Sequence, residues 1–335
     1  MLIENLKSGL KIMQSKLFNK KIPLIITYII TDKCNRNCAY CNIKNSEKSK
    51  IMDANKALSM IRELRSHGMQ LINFTGGEPL LRKDIGALIS FASRIGVKTI
   101  LTTNGDYVKE NIKKIKDINL IYLCLNGRKK VHDALRGKGS YDKTINAMKI
   151  ARKRNISVAI NMILTNKNLN QIDFVYKKAR EQNARAYFTP VYDFKLVNIT
   201  KKQLDRIKPA DEEIKRAFKL VKKLKKEKGF VLNSTKYIDY IIKSGYKPYH
   251  FKRCLMGKLV FVIKPNGDVA PCYKFVDRKK LVNLTKTSCA DALKSMKTAD
   301  CHDCNFNCHI EQNLLLGFEP SAIINLLQNY GGFGK

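Results

Sequence analysis

Short apolar runs alternate with amphipathic stretches through the first two thirds of the chain. Runs rich in β-branched and aromatic residues predict strands at 24–30, 71–75, 98–103, 120–125, 157–164 and 185–190. Between the runs, apolar residues recur at helical spacing, as at Leu58, Ile61 and Leu64. Strands that alternate with helices indicate βαβ units and a parallel sheet.

The six units lie between residues 22 and 229, and they are fewer than the eight that close a full (β/α) barrel. The pattern predicts an α/β fold with a partial (β/α)6 TIM-like barrel at 22–229, although a doubly wound sheet also fits it. A helical linker is predicted at 230–253, a small cysteine-rich domain at 254–310 and a helical tail at 311–335. Apolar residues at 314–316 and 322–327 of the tail either close a core or face a lipid-like substrate.

The segment 1–21 has the pattern of a basic amphipathic helix. A stripe at helical spacing consists of Leu2, Leu6, Leu10, Met13 and Leu17. The accompanying charges are Lys7, Lys11, Lys16, Lys20 and Lys21, against the single acid Glu4. Two interpretations remain open: a helix packed across the bottom of the barrel, which we favour, and a helix that lies on an anionic membrane surface.

The composition narrows the class of protein. A hydrophobic fraction of 44% supports a packed core, and no apolar run is long enough to span a bilayer. Because no secretory signal is visible, we expect a cytoplasmic location, with peripheral membrane contact as a variant. Thiols stay reduced there, so the ten cysteines are interpreted as metal ligands or buried thiols.

The formal net charge of +36 is unusual. A charge of this size is compatible with binding to nucleic acid or anionic lipid. The lysines are spread over nearly every segment, and no zinc-finger or RRM signature accompanies them. We therefore interpret them as solvated faces, and nucleic acid is not an expected partner.

Three cysteines follow the first predicted strand in the pattern C-x3-C-x2-C, at Cys34, Cys38 and Cys41. Loops that follow the strands of a barrel line its C-terminal mouth, where active sites lie. Three thiolates from one loop suit one face of an iron–sulfur cubane and leave one iron open. A structural zinc site would normally need a fourth ligand.

The loop 34–41 resembles the signature of the radical S-adenosylmethionine (SAM) superfamily, and 22–190 carries the resemblance. The family implies that SAM chelates the open iron of a 4Fe–4S cluster and is cleaved reductively to a 5′-deoxyadenosyl radical. The residues Gly76, Gly77 and Glu78, at the end of the second strand, resemble the element that holds the methionine part of SAM. We expect Glu78 to accept a hydrogen bond from the SAM ammonium group.

Weaker matches to the family occur at or near the ends of the later strands. Asn104 belongs to a Thr-Asn-Gly similar to that of the family, and Asn126 stands where relatives commonly carry Asp. Cys124 stands where they commonly carry Ser. Asn161, on the fifth strand, is interpreted either as a contact to the SAM ribose or carboxylate or as a satisfied core amide.

A second group of cysteines occupies the C-terminal part of the chain. Cys254 and Cys272 flank a predicted hairpin, and Cys301, Cys304 and Cys308 follow as C-x2-C-x3-C. The group resembles the auxiliary-cluster domains of the superfamily, called SPASM and, in a shorter form, twitch; the twitch form fits better. The expected ligands are Cys254, Cys272, Cys301 and Cys304, with Cys308 as the rival for the last place and Cys289 as an outsider. A structural zinc knuckle is the alternative.

The leading hypothesis is an enzyme that takes hydrogen from a lipid- or glycolipid-linked substrate or from a peptide. The resemblance implies SAM as a partner, together with an electron donor such as flavodoxin or ferredoxin. Because residues 1–33 alone precede Cys34, we expect no fused N-terminal peptide-binding domain. The competing hypothesis is a non-catalytic iron–sulfur or zinc protein that binds nucleic acid, which does not account for the Gly76–Glu78 element. The pattern assigns no catalytic side chain.

Overall fold

The computed structural model describes residues 2–45, 49–192, 199–296, 298 and 301–330, and only the backbone of residues 2–8, 228, 329 and 330. The strands are β1 (Ile25–Thr31), β2 (Leu71–Gly76), β3 (Lys98–Thr103), β4 (Leu120–Cys124), β5 (Ser157–Leu164), β6 (Arg185–Pro190), β7 (Tyr249–His250), β8 (Val260–Ile263), β9 (Asp268–Ala270), β10 (Val282–Asn283) and β11 (Asp303–Cys304). The helices are α1 (Leu2–Leu17), α2 (Ala54–Ser66), α3 (Ile85–Arg94), α4 (Val108–Asn111), α5 (Lys129–Arg136), α6 (Ser140–Lys153), α7 (Ile172–Glu181), α8 (Lys201–Ile207), α9 (Asp211–Lys228), α10 (Thr235–Ser244), α11 (Cys289–Ser295), α12 (Asn307–Leu316) and α13 (Pro320–Tyr330).

Strands β1 to β6 lie side by side in chain order, and each pairs in parallel with the next. A doubly wound sheet would reverse the strand order at a switch point, and no reversal occurs among these strands. The predicted partial barrel of six parallel strands is therefore confirmed. Successive neighbours place every β-to-α loop at the same edge, which is the C-terminal mouth of the barrel.

The sheet continues beyond the predicted barrel. Strand β8 pairs in parallel with β1, and β9 and β10 extend the sheet in antiparallel order. The hairpin of the cysteine-rich segment is thus part of the same sheet as the barrel. Its side chains Phe261 and Ile263 are fully or almost fully buried and join the main core.

The two faces of the sheet differ in character. One face packs on the helices through apolar side chains such as Ile26, Phe74 and Leu101. On the other face, neutral polar side chains occupy alternate positions of the central strands. Asn73 lies beside Thr102, and Asn161 lies beside Thr189. Successive side chains of a strand point to opposite faces, so these polar groups line the concave interior of the barrel.

Helix α1 lies at the N-terminal edge of the sheet, as the favoured interpretation of the sequence predicts. Ile12 packs in a cluster with Ile22, Leu24 and Leu316. The packing face is not the predicted stripe, however, because Leu10, Met13 and Leu17 are exposed. The side chains of Leu2 and Leu6 lie outside the described residues. No described helix combines the length and hydropathy that crossing a membrane requires.

The apolar residues of the C-terminal tail divide between core and surface. Leu314 and Ala322 are buried in the main core, and Leu316 in the cluster around Ile12. Ile324 and Leu327 are exposed. The tail therefore closes the core through α12 and the start of α13.

Candidate functional site

Cys34, Cys38 and Cys41 lie on the loop that follows β1, at the C-terminal edge of the sheet. All three thiols are free and partly exposed. Burial raises the pKa of each thiol, to about 12 for Cys41. Neighbouring thiols add to the rise: for Cys34 and Cys41 they lie on the same loop, and for Cys38 the neighbour is Cys124. Three thiols from one loop that interact electrostatically match the donor set of a cluster with one open iron. Binding of iron would release their protons.

Polar contacts fasten this loop to the loop that follows β3. Arg36 forms a bidentate ion pair with Asp106, with 2.6 Å between Nε and Oδ2. Asn35 donates to the same carboxylate and accepts from Asn104 Nδ2 at 2.8 Å. Sequence analysis missed Asn35, Arg36 and Asp106, because the pairing joins loops far apart in the chain. Asn104, predicted as a SAM contact, is buried and donates to the cysteine loop through Asn35. Its contact with SAM stays a prediction.

The Gly76–Glu78 element packs directly against the cysteine loop. The Gly77 N–H donates to Thr31 O and the Glu78 N–H to Lys33 O, each at 2.8 Å. A Cβ on Gly76 would lie 2.2 Å from Thr31 O, and one on Gly77 would lie 2.2 Å from Lys33 O. We expected the glycines to let a ligand approach, and in the structure they let one backbone approach another.

The Glu78 side chain joins two loops inside the protein. It is fully buried, and its carboxylate accepts from Leu80 N, Thr103 Oγ1 and Asn104 N at 2.7–3.0 Å. Burial raises the pKa of this carboxyl, and the three donors oppose the rise. Glu78 is thus a brace between the second and third loops, and its hydrogen bond from the SAM ammonium stays a prediction.

Asn126 is also buried, and its amide is engaged inside the protein. Its Nδ2 donates to the Tyr40 hydroxyl at 2.8 Å, and its Oδ1 accepts from Ile163 N at 3.0 Å. Arg136 donates to the same hydroxyl at 2.8 Å. The resemblance leads one to expect a carboxylate at this position. The Asn126 amide found there binds Tyr40, the aromatic residue of the cysteine loop.

Arg136 is a site residue that sequence analysis missed. It is buried on α5, its Nε is without a hydrogen-bond partner among the described residues, and its charge interacts with Cys38 and Cys124. These neighbours and Tyr40 raise the pKa of its guanidinium despite burial. A buried cation beside a group of thiols favours bound anions. No local pattern distinguishes it from the exposed arginines of the chain.

Asn161 lies on the concave face of the barrel. Its Oδ1 accepts from Thr189 Oγ1 at 2.6 Å, and Thr189 in turn accepts from Asn307 Nδ2 at 2.8 Å. Asn307 starts α12, between Cys304 and Cys308. This chain of hydrogen bonds joins the cysteine-rich segment to the interior of the barrel.

The second group of cysteines lies near the opposite edge of the sheet. Cys272 follows β9, which runs antiparallel to β8, so it returns to the N-terminal edge. Electrostatic interactions join Cys272 to Cys254 and Cys301, and Cys304 to Cys254 and Cys272. Burial first, and then these neighbours, raise the pKa of Cys272 to about 12. These contacts connect four thiols, which is the number of ligands in a fully ligated cluster.

The two remaining cysteines differ in their surroundings. Cys308 interacts with Cys304, and burial raises its pKa to about 11. Cys289 lies apart, against Glu63 of α2, and its N–H donates to the Glu63 carboxylate. His309 stacks on Tyr273 with the ring centroids 5.3 Å apart. The His302 ring donates a hydrogen bond to Phe251 O.

Family models match both cysteine regions. Residues 28–179 match the Radical SAM superfamily, and residues 254–312 match SPASM, an iron–sulfur cluster-binding domain. The two matches cover the loop of Cys34 and the group of Cys254, respectively.

Relatives with known activities align with large parts of the chain. The Fe-coproporphyrin III synthase of Methanosarcina barkeri is 28% identical over 49% of this chain, which spans 43% of that protein. The AdoMet-dependent heme synthase of the same organism is 26% identical, over 75% of this chain and 76% of its own length. The PqqA peptide cyclase of Bradyrhizobium diazoefficiens is 24% identical, over 75% of this chain and 67% of its own.

The fold is similar to that of Streptococcus suis SuiB, solved with bound S-adenosylmethionine. The TM-score is 0.69 at 19% identity, over 83% of this chain and 67% of that one. At this identity the likeness concerns the fold alone. The two family matches show that the chain is a radical SAM enzyme with a 4Fe–4S cluster, SAM as cofactor and a C-terminal SPASM iron–sulfur domain.

Proposed function

We propose that this radical SAM enzyme takes hydrogen from an unreactive C–H bond of a peptide. The main support for this proposal is the concave face of the barrel. Neutral hydrogen-bonding groups line it at Asn73, Thr102, Asn161 and Thr189. Amide and hydroxyl side chains complement peptide N–H and C=O groups without requiring a charge. The PqqA peptide cyclase, which is similar to this chain, acts on a peptide according to its name.

In this proposal, Cys34, Cys38 and Cys41 hold the cluster that binds SAM, and the backbone of Gly76–Glu78 lines the methionine part of SAM. Arg136 offsets negative charge at the thiolates and at the SAM carboxylate. Glu78, Asn104 and Asn126 act through the loops that they brace, and Asn161 faces the substrate. When bound, the cluster and SAM together supply an electron and a primary carbon radical able to take hydrogen from carbon.

We assign Cys254, Cys272, Cys301 and Cys304 to the auxiliary cluster, because these four thiols interact with one another. Cys308 remains the alternative for the last place. With four thiolates bound, a cluster has no open iron and serves electron transfer. Asn307 joins this segment to Thr189, so the substrate face lies between the two thiol groups. A reduced flavodoxin or ferredoxin in the cytoplasm is the proposed electron source.

The polar lining favours a peptide over the lipid- or glycolipid-linked substrate considered from the sequence. That alternative rests on the basic N-terminal helix and the apolar C-terminal tail. Helix α1 lies at the N-terminal edge of the sheet, opposite the loop of Cys34, and the tail buries Leu314, Leu316 and Ala322. A tetrapyrrole, which the names of two relatives suggest, would bring several carboxylates, whereas the side chains of Asn73, Thr102, Asn161 and Thr189 are uncharged.

The cluster assignment is tested by anaerobic reconstitution with iron and sulfide, followed by SAM and a strong reductant. The wild type should form 5′-deoxyadenosine, and Cys38→Ala should form none. Cys289→Ala is the matched control, since that thiol lies apart against Glu63. A Cys38→Ala protein that still cleaves SAM would refute the assignment.

The substrate class is tested by adding peptide or lipid extracts of the source cells to the reconstituted enzyme. Peptide extract should raise the rate of 5′-deoxyadenosine formation, and protease treatment of that extract should abolish the rise. Asn161→Ala should reduce the stimulated rate and leave the basal rate unchanged. Stimulation by the lipid extract alone would contradict a peptide substrate.

A further inference from the structure

The N-terminal edge of the barrel carries an exposed apolar surface. Helix α1 turns Ile12 and Ser15 inward, whereas Leu10, Met13 and Leu17 are 60%, 50% and 72% exposed. These three residues lie on one helical face, and Phe18, directly after the end of the helix, is 76% exposed. Four large apolar side chains in solvent within nine residues exceed the scattered exposure of an ordinary surface.

A cluster of cations borders this surface. Electrostatic contacts join Lys16, Lys21, Arg253 and Lys258, and Lys20 is the chain neighbour of Lys21. Arg253 Nη1 donates to Lys16 O at 2.9 Å, and Lys21 Nζ donates to Met296 O at 2.6 Å. In the part of the chain that the structure describes, none of the five forms an ion pair with a carboxylate.

The cations are close enough to repel one another. Burial and then the charge of Arg253 lower the pKa of Lys16. Like charges held close together weaken the folded state, and an anionic surface would reduce that cost.

We propose that the underside, defined as Leu10, Met13, Leu17 and Phe18 with the five bordering cations, docks on an anionic lipid bilayer. A basic amphipathic helix lies in the bilayer interface with its apolar side chains inserted and its cations among the headgroups. A second copy of the chain is a poor occupant, because it would bring the same cation cluster against the first.

Docking in this orientation keeps the active site in water. The loop of Cys34 lies at the C-terminal edge of the sheet, whereas α1 contacts the N-terminal edge, where Lys11 Nζ donates to Gly68 O. The bilayer would therefore bind the enzyme without covering the C-terminal mouth of the barrel. This inference is independent of the substrate proposed above.

The test is co-sedimentation of the intact holoenzyme with vesicles of phosphatidylcholine alone or mixed with phosphatidylglycerol. Binding is expected only to the anionic vesicles and should weaken as salt is raised. The double variant Leu17→Ser/Phe18→Ser should lower the partition constant at least about tenfold, since two inserted side chains are lost. Leu81→Ser, an exposed apolar residue at the opposite edge, is the matched control and should bind normally.

A second pair of variants separates this surface from the overall charge of the protein. Lys20→Gln/Lys258→Gln removes two charges at the underside, and Lys219→Gln/Lys223→Gln removes two from α9. Only the first pair should weaken binding and reduce its salt dependence. Equal loss in both pairs, or unchanged binding of the Leu17→Ser/Phe18→Ser protein with a wild-type circular dichroism spectrum, would overturn the proposal. A dimer in sedimentation velocity that the apolar double variant abolishes would overturn it in favour of self-association.

Discussion

Single buried polar residues determine how the SAM-binding loops meet. Glu78 accepts three hydrogen bonds from the second and third loops, and Asn126 and Arg136 together hold the Tyr40 hydroxyl. Each of these groups is removed from water, so each must find its partners inside the protein. In the proposed site the cysteines supply the ligands, and these neighbours position the loop that carries them.

Glu78→Gln tests this role at the residue scale. One carboxylate oxygen becomes an amide donor that faces either Asn104 N or the pair of donors at Oε1, so at least one buried donor loses its acceptor. We expect the free energy of unfolding to fall by about 1–3 kcal/mol. Urea titration monitored by circular dichroism measures this free energy of unfolding. Glu212→Gln, at an exposed carboxylate on α9, should leave the unfolding free energy nearly unchanged; an equal fall in both variants would refute the brace.

At the scale of elements, two glycines let the end of β2 touch the loop that follows β1. Both positions lack room for a Cβ, since the nearest backbone oxygens would lie at 2.2 Å. Gly76 also has a φ of 142°, a conformation that other residues rarely adopt. The position of the cysteine loop therefore depends on a contact between two backbones.

Gly77→Ala should displace the segment before Cys34. Because the clash is with backbone, it cannot be relieved by a rotamer change, and overpacking of this kind costs about 1–3 kcal/mol. We expect less iron per chain after reconstitution than in the wild type. Gly9→Ala is the control, since a Cβ there meets nothing within 4 Å. Full iron content in Gly77→Ala would show that the loop tolerates the shift.

At the scale of the whole molecule, one sheet carries thiol groups at both edges. Strands β8 and β9 join the cysteine-rich segment to β1, so Cys272 returns to the edge opposite Cys34. The polar concave face lies between the two groups, and the Asn307–Thr189–Asn161 hydrogen bonds reach it from the auxiliary side. Such an arrangement allows the two groups to bind iron independently.

Independent binding predicts residual iron in a protein that carries Cys34→Ala, Cys38→Ala and Cys41→Ala together. We expect this variant to keep the iron of the auxiliary site and to lose all SAM cleavage, because no open iron remains. Metal analysis after anaerobic reconstitution measures the iron. Adding Cys272→Ala to the triple variant should lower the remaining iron. Absence of iron from the triple variant, or zinc in its place, would reject an auxiliary cluster.

Periodicity and ligand spacing were enough to predict much of the molecule. Local patterns gave the parallel strands, with β3, β5 and β6 at their observed bounds, the C-x3-C-x2-C loop and the second cysteine group. These features depend on neighbours in the chain: side-chain alternation within a strand, and ligands carried by one loop. The resemblance to the radical SAM superfamily followed from such local residues.

Other features depend on pairs of residues that only folding brings together. The bonds of Asp106 to Arg36, of Asn104 to Glu78 and of Asn307 to Thr189 join segments far apart in the chain, so no local pattern contains them. The solvent-facing stripe of α1 also required the fold, because an amphipathic period does not say which face finds a partner. Tertiary structure decided these points, since burial and hydrogen-bond satisfaction belong to the packed chain as a whole.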